Sequence, residues 1–317
     1  MSNIIENTII QKIGFNLNNN KFSIKREDLI PQAFGGNKVR IAFQYFKDMK
    51  KKGKDTIISY GSETSNLNRV IAMMSTKLNM KCYVIISRSN ENNVFKTNNI
   101  KLIEMTNAEI VYCNKKNVSE VVENTMNKSI KNGEKPYYIY GNKNGVGNEL
   151  VGVEAYVDAY DEIITYEKYN QIFDYIFVTT GTGTTYSGLL IGKNINGKKH
   201  EIIGISIARS ESILKDNILN TITKYFYENK LDIYRKDFKD IHIKNYFTDL
   251  GYGEYSYLAN SLSEEIFKKE NIFLDFVYTA KGFYGMKKYI IENNIKNSNI
   301  LFIHTGSLPL FFDGINK

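Results

Sequence analysis

Apolar positions along this chain follow two alternating rhythms. Residues 22–25 form a short extended run, and after Lys38 the residues Ala42, Tyr45, Phe46 and Met49 recur at helical spacing, which places Lys38 in the first turn of an amphipathic helix. That helix is expected to end at Lys50, Lys51 and Lys52 before Gly53, with cations at the negative end of its dipole and a glycine stop. Strands are then predicted over 56–60, 81–86, 109–113 and 137–140, with helices over 67–78, 92–105 and 118–131 between them. A long helix over 148–166 opens onto a second alternating block. It has strands over 172–180, 201–208 and 300–306, a helix after Ser210 and a charged helix over 257–271. This alternation predicts an α/β protein with two open, mainly parallel sheets flanked by helices. The expected division is a larger domain of residues 1–48 and 162–317 and a smaller inserted α/β domain of residues 49–161. A ligand is expected in the cleft between them, where strand C-terminal ends and helix N-termini converge.

Composition changes this picture little. At 317 residues the chain can bury a large core. The formal charge of +8 comes from lysines spread among 34 acidic residues, with no basic stripe or interleaved aromatics, so nucleic acid is not an expected partner. Cys82 and Cys113 each sit in an apolar strand-like run, the setting of reduced, buried thiols rather than of a secreted disulfide scaffold. Residues 1–13 have neither a basic start leading into a long apolar run nor a small-residue cleavage site, and no apolar run approaches membrane-spanning length. A cytoplasmic protein without membrane contact is expected. His200, His242 and His304 lack metal-ligand spacing, so no metal site is expected.

Candidate chemistry is concentrated in a few stretches. Lys25-Arg26-Glu27-Asp28-Leu29 runs on to Gly35-Gly36-Asn37-Lys38-Val39-Arg40, with Lys38 where a loop becomes a helix. The glycines either form an ordinary turn before a surface lysine or let backbone approach closely enough to present its amine, as a Schiff-base lysine requires. The predicted strand ending at Thr180 runs into Gly181-Thr182-Gly183-Thr184-Thr185 and then a helix. Such a loop suits a phosphate, because backbone N–H groups, the helix dipole and threonine hydroxyls all face the anion. Tyr186 stands where the third glycine of a dinucleotide fingerprint belongs, and no Gly-Lys-Ser/Thr follows to make a Walker A loop. Ser65 and Asn66 lie at another strand-to-helix junction, as a carboxylate cradle or simply a helix cap. Tyr252 in Gly-Tyr-Gly, and Tyr278 followed by Thr279, are polar aromatics beside small residues, and either can serve packing or catalysis.

In combination these stretches resemble the tryptophan-synthase-β-like, fold type II pyridoxal-phosphate enzymes. Lys-Arg-Glu-Asp-Leu with Gly-Gly-Asn-Lys-Val-Arg, then Thr-Gly-Thr-Gly, Gly-Tyr-Gly, Val-Tyr-Thr and Phe-Ile-His-Thr-Gly, is similar to the D-cysteine desulfhydrase and 1-aminocyclopropane-1-carboxylate (ACC) deaminase branch, across residues 22–310. The resemblance implies pyridoxal 5'-phosphate held covalently by Lys38, which would also move the substrate α-proton. Gly181, Thr182, Gly183, Thr184 and Thr185 match the phosphate loop, and Thr305 matches the residue facing the pyridine nitrogen. Ser65 and Asn66 match residues at the substrate carboxylate and the ring. Tyr252 and Tyr278 match active-site tyrosines near the leaving group.

ACC deaminases carry Glu where this chain has Thr279, as desulfhydrase-like members do, which favours thiol elimination. Leu67 departs from the His or Gln of the family and borders the expected carboxylate site. Thus Leu67 and Thr279 join Ser65, Asn66, Tyr252 and Tyr278 as expected substrate-binding positions. The expected function is α,β-elimination and deamination of a small amino acid with a β-leaving group, D-cysteine first. ACC or cysteate is the alternative substrate, and a catalytically inactive cofactor-binding protein is the alternative of another class. A homodimer is implied by the same resemblance.

Overall fold

A computed structural model describes residues 7–88, 96–207, 209–231, 241–247 and 253–315. The chain divides into two compact units. The larger comprises residues 1–30, 34–37 and 153–314, and the smaller residues 31–33, 38–152 and 315–317.

The larger unit is built on a six-stranded sheet. Its strands are β1 (Ile10–Ile13), β2 (Lys21–Arg26), β7 (Tyr175–Thr180), β8 (Glu201–Ser206), β9 (His242–Asn245) and β10 (Asn299–His304), in the order β1-β2-β10-β7-β8-β9. Among the described residues only β1 pairs antiparallel in this sheet. Central strands bury both faces, as β7 and β10 show, which is why they read as continuous apolar runs rather than alternating ones. Helices α5 (Val151–Glu167), α6 (Thr184–Ile195), α7 (Glu211–Glu228), α8 (Tyr257–Glu270), α9 (Thr279–Glu292) and α10 (Leu308–Gly314) accompany the sheet. Helix α9 packs closely on β7 and β8 because it carries glycine at the contacts: a Cβ on Gly282 would lie 1.9 Å from the Thr179 hydroxyl, and one on Gly285 2.4 Å from Ile205.

The smaller unit holds a four-stranded parallel sheet in the order β5-β4-β3-β6, formed by β3 (Thr56–Ser62), β4 (Lys81–Arg88), β5 (Glu109–Asn114) and β6 (Pro136–Tyr138). With it come α1 (Asn37–Lys51), α2 (Asn66–Lys77), α3 (Asn98–Glu104) and α4 (Val118–Lys131). The apolar stripe of α1 is buried at Ala42, Tyr45, Phe46 and Met49.

Two mainly parallel sheets flanked by helices are therefore the architecture, as the alternating pattern implied. Helix α9 (Thr279–Glu292) occupies a stretch where the pattern predicted no element, and three further differences are local. Strands β1 and β9 and the short helix α10 carry no periodic signal, since edge pairing and tertiary packing rather than pattern stabilise four-residue strands. The strand over 137–140 is confined to Pro136–Tyr138, and Ile139 continues only with a single bond to the Ile58 carbonyl. Helix α3 begins at Asn98, capped by the Thr97 hydroxyl, whereas the pattern suggested 92; residues 92–95 lie outside the described residues.

Candidate active site

The turn before Lys38 is shaped by backbone rather than by side chains. Its approach is fixed by the Arg26–Asp28 ion pair, which has a bidentate fork with Nε 2.9 Å and Nη2 2.7 Å from the carboxylate oxygens. Gly36 donates to the Glu27 carbonyl at 2.7 Å, and Asn37 donates its backbone N–H to the Thr305 carbonyl at 3.0 Å. Gly36 has φ +98°, and a Cβ there would lie 2.7 Å from the Thr305 carbonyl oxygen; Gly306, at φ +89°, sits against Gly36 just as tightly. The two glycines thus do what a turn alone does not require: they let the segment before α1 lie on the segment after β10. Asn37, which sequence reasoning passed over, also donates its side-chain amide to the Thr185 hydroxyl at 3.0 Å, tethering this turn to the Gly/Thr loop.

Lys38 follows in the first turn of α1. Its side chain is partly buried, and burial lowers its amine from the ordinary lysine value to about 8. That makes about a tenth of the amine neutral at pH 7, far more than for an ordinary lysine, and the neutral form is the one that attacks an aldehyde.

The Gly/Thr loop ends β7 and opens α6. Gly183 stands at the N-cap in the left-handed conformation, and among the described residues no side chain caps the helix. The first N–H groups of α6 have no intrahelical partners, so they are available to an anion. The Thr182 and Thr184 hydroxyls lie 3.2 Å apart at the rim, and among the described residues nothing stands within 4 Å of where a Gly181 Cβ would be. Just behind, the Thr180 hydroxyl is buried with no hydrogen-bond partner among the described residues. An uncapped helix start, a positive-φ glycine and an orphan hydroxyl together fit a phosphate group.

At the same, C-terminal end of the parallel strands, Thr305 follows β10 and is 8% exposed. The preceding His304 ring is held between two backbone groups, the Phe273 carbonyl 2.6 Å from Nε2 and the Gly306 N–H, which donates to Nδ1 at 3.1 Å. Tyr278 caps α9, partly buried. Its backbone is held by Asp275, whose carboxylate accepts N–H bonds from Val277, Tyr278 and Thr279, each at 3.0 Å. Thr279, an expected substrate contact, is fully buried. Its hydroxyl donates to Asp275 at 2.8 Å and accepts from the Asp275 N–H at 2.7 Å. Tyr252 lies outside the described residues.

In the smaller unit Ser65 is the N-cap of α2 and accepts from the Asn68 N–H at 3.2 Å, while Asn66 and Leu67, both 8% exposed, occupy its first turn. Asn66 is anchored by Asn99 and Arg69, neither of which sequence reasoning singled out. Their spacing, three residues on within α2 and a whole strand away in α3, gave no pattern to detect.

A buried amine in a helix's first turn, and a phosphate-shaped loop after a parallel strand, are the features of a covalently held, phosphorylated aldehyde cofactor. The family described as "Pyridoxal-phosphate dependent enzyme" matches residues 2–306. The chain belongs to that family. Among its relatives, the D-cysteine desulfhydrase of Klebsiella pneumoniae is 27% identical over 91% of this chain and 87% of its own length. A protein of Pyrococcus abyssi, provisionally named as a 1-aminocyclopropane-1-carboxylate deaminase, is 29% identical over 91% of this chain and 85% of its own. The crystal structure of an ACC deaminase homologue superposes with a TM-score of 0.83 at 25% identity, covering 99% of this chain and 93% of that one. The chain is thus a pyridoxal-phosphate dependent enzyme of the ACC deaminase and D-cysteine desulfhydrase group. The residues present fit that cofactor: Gly181 to Thr185 for its phosphate and Lys38 for its aldehyde.

Proposed function

We propose that this pyridoxal-phosphate dependent enzyme is a lyase acting on D-cysteine, which with one water yields pyruvate, hydrogen sulfide and ammonia. The observation that carries the reading is Lys38, with its amine lowered to about 8 directly after a turn that is itself tied to Thr185. When bound, the cofactor supplies an electron sink for bond breaking at the amino acid's α-carbon. Lys38 would hold it covalently and would move the α-proton, for which the amine must be neutral when it acts as base. Backbone N–H groups of the loop from Gly181, with the Thr182, Thr184 and Thr185 hydroxyls, hold the phosphate. Thr305 would be the residue at the pyridine nitrogen, and its neutral hydroxyl would supply no charge to hold that nitrogen protonated as a carboxylate would. Ser65 and Asn66 would receive the substrate carboxylate beside Leu67, and Tyr278 would give a proton to the leaving group, a role the family resemblance also assigns to Tyr252.

Thiol elimination is favoured over ACC ring opening by the setting of Thr279. A glutamate at this fully buried position would bring a second carboxylate against that of Asp275, whose carboxyl burial already pushes up. The likeness to an ACC deaminase homologue keeps ring opening as the second reading. We further propose a cytoplasmic homodimer. The test is to load the protein with pyridoxal phosphate and follow sulfide and 2-oxo acid release from D- and L-cysteine, ACC and cysteate. D-cysteine should be turned over fastest, and Lys38→Ala should abolish both turnover and the visible absorption of the bound cofactor. Release of 2-oxobutyrate from ACC without sulfide from cysteine supports the second reading. Cofactor absorption with no product from any of them marks a binding protein instead.

A further inference from the structure

The Arg69 guanidinium is 1% exposed and sits at the meeting of three segments of the smaller unit. Its Nη1 donates to the carbonyl of Ala33, a residue held at φ +45° in the loop that leads to the Gly-Gly-Asn-Lys turn. Its Nε donates to the Asn99 side-chain oxygen at 2.8 Å, and its Nη2 lies 3.5 Å from the Asn66 side-chain oxygen. The polarity of this cluster follows from chemistry alone. A guanidinium has donors and no acceptor, so the Asn99 amide must turn its oxygen towards Arg69. That leaves the Asn99 nitrogen to donate in two directions, to the Thr64 carbonyl at 3.1 Å and to Asn66 at 3.0 Å. Asn66 therefore receives two donors on its oxygen, and its NH2 end is turned away from the cluster.

We propose that Arg69, acting through Asn99, is a positioning residue that sets Asn66 as a hydrogen-bond donor to an oxygen acceptor on the ligand. This rests on the reading of Asn66 as a ligand contact. Two oxygens have the required chemistry: the ring hydroxyl oxygen of the cofactor, ionised or neutral, and the carboxylate of the substrate. Burying a guanidinium has a cost that burial expresses by lowering its pKa to about 10, and hydrogen bonds to two amides and a strained carbonyl offset that cost while fixing the direction of each.

The experiment compares the holoenzyme with Asn66→Asp, Arg69→Met and Arg69→Lys. The carboxylate introduced by Asn66→Asp would face the same donors, so this variant should unfold at or above the wild-type temperature while presenting an acceptor in place of a donor. If the acceptor is the cofactor oxygen, the dissociation constant for pyridoxal phosphate should rise about tenfold or more, with a shift in the visible band. If it is the substrate carboxylate, KM should rise by that factor with cofactor affinity unchanged. Arg69→Met should move the same readout in the same direction, and Arg69→Lys should restore part of it. Asn66→Asp holoenzyme within twofold of wild type in both affinity and KM overturns the proposal, as does an Arg69→Met variant that loses thermal stability alone. Cofactor uptake is read separately from turnover, so a wild type that binds pyridoxal phosphate but does not act on D-cysteine sinks the substrate reading while leaving the cofactor arm decisive.

Discussion

Lys38 carries a pH dependence whose sign is set by burial. Its folded-state pKa, about 8, lies below the unfolded value of 10.5. In the apo-protein the buried ammonium therefore destabilises the fold below about pH 8, and that cost is relieved as pH rises from about 8 towards 10.5, because the unfolded chain binds the extra proton in that window. The same titration governs reactivity. The rate of covalent cofactor capture should climb through about pH 8 and level off above it, followed by stopped-flow visible absorbance; a pH-independent rate between about 6.5 and 9 would contradict the assignment. Lys38 was legible as a candidate from the two glycines and Asn37 before it. What the sequence did not show was the reason for those residues: Gly36 and Gly306 touch only because β10 returns from the far end of the chain.

At the scale of one element, the start of α9 is the clearest case of a motif whose tertiary setting differs from its sequence-level reading. Thr279 read as a substrate contact, yet its hydroxyl closes a ring with Asp275 that caps the helix and holds the backbone of Tyr278. Truncating Asp275 to Ala leaves several buried donors unsatisfied. It should cost on the order of 3 kcal/mol in chemical denaturation, whereas Thr279→Ser, which keeps the hydroxyl, should stay within about 1 kcal/mol of wild type. A Thr279→Val variant as stable as wild type would mean that the hydroxyl is not engaged as the geometry shows. The Gly/Thr loop behaved differently. Strand end, glycines and helix start are contiguous in sequence, so both the loop and the uncapped helix behind it could be read directly.

For the whole molecule, cofactor binding and stability are linked, since a ligand that binds only the folded chain raises its stability by about 2.7 kcal/mol at a hundredfold excess over its dissociation constant. Pyridoxal phosphate should therefore raise the unfolding temperature of wild type markedly and that of Lys38→Ala much less, as measured by differential scanning fluorimetry; equal shifts would show that Lys38 adds nothing to the hold on the cofactor. The free thiols do not complicate this experiment, because Cys82 and Cys113 are buried and burial pushes the Cys82 thiol up to about 12. By itself the sequence determined the α/β class, most of the strands and helices and the family, and it offered Lys38 and the Gly/Thr loop as candidates, because each depends on periodicity or on contiguous residues whose chemistry acts locally. Only the tertiary structure decided that Asn37 tethers the lysine's turn to Thr185, that Thr279 serves Asp275, and that Arg69 and Asn99 orient Asn66. All but the Thr279 pair join residues far apart in the chain, and Thr279 itself is committed by a burial that sequence spacing does not reveal. Hydrogen-bond direction depends on which groups meet in space, and no local pattern along the chain records that.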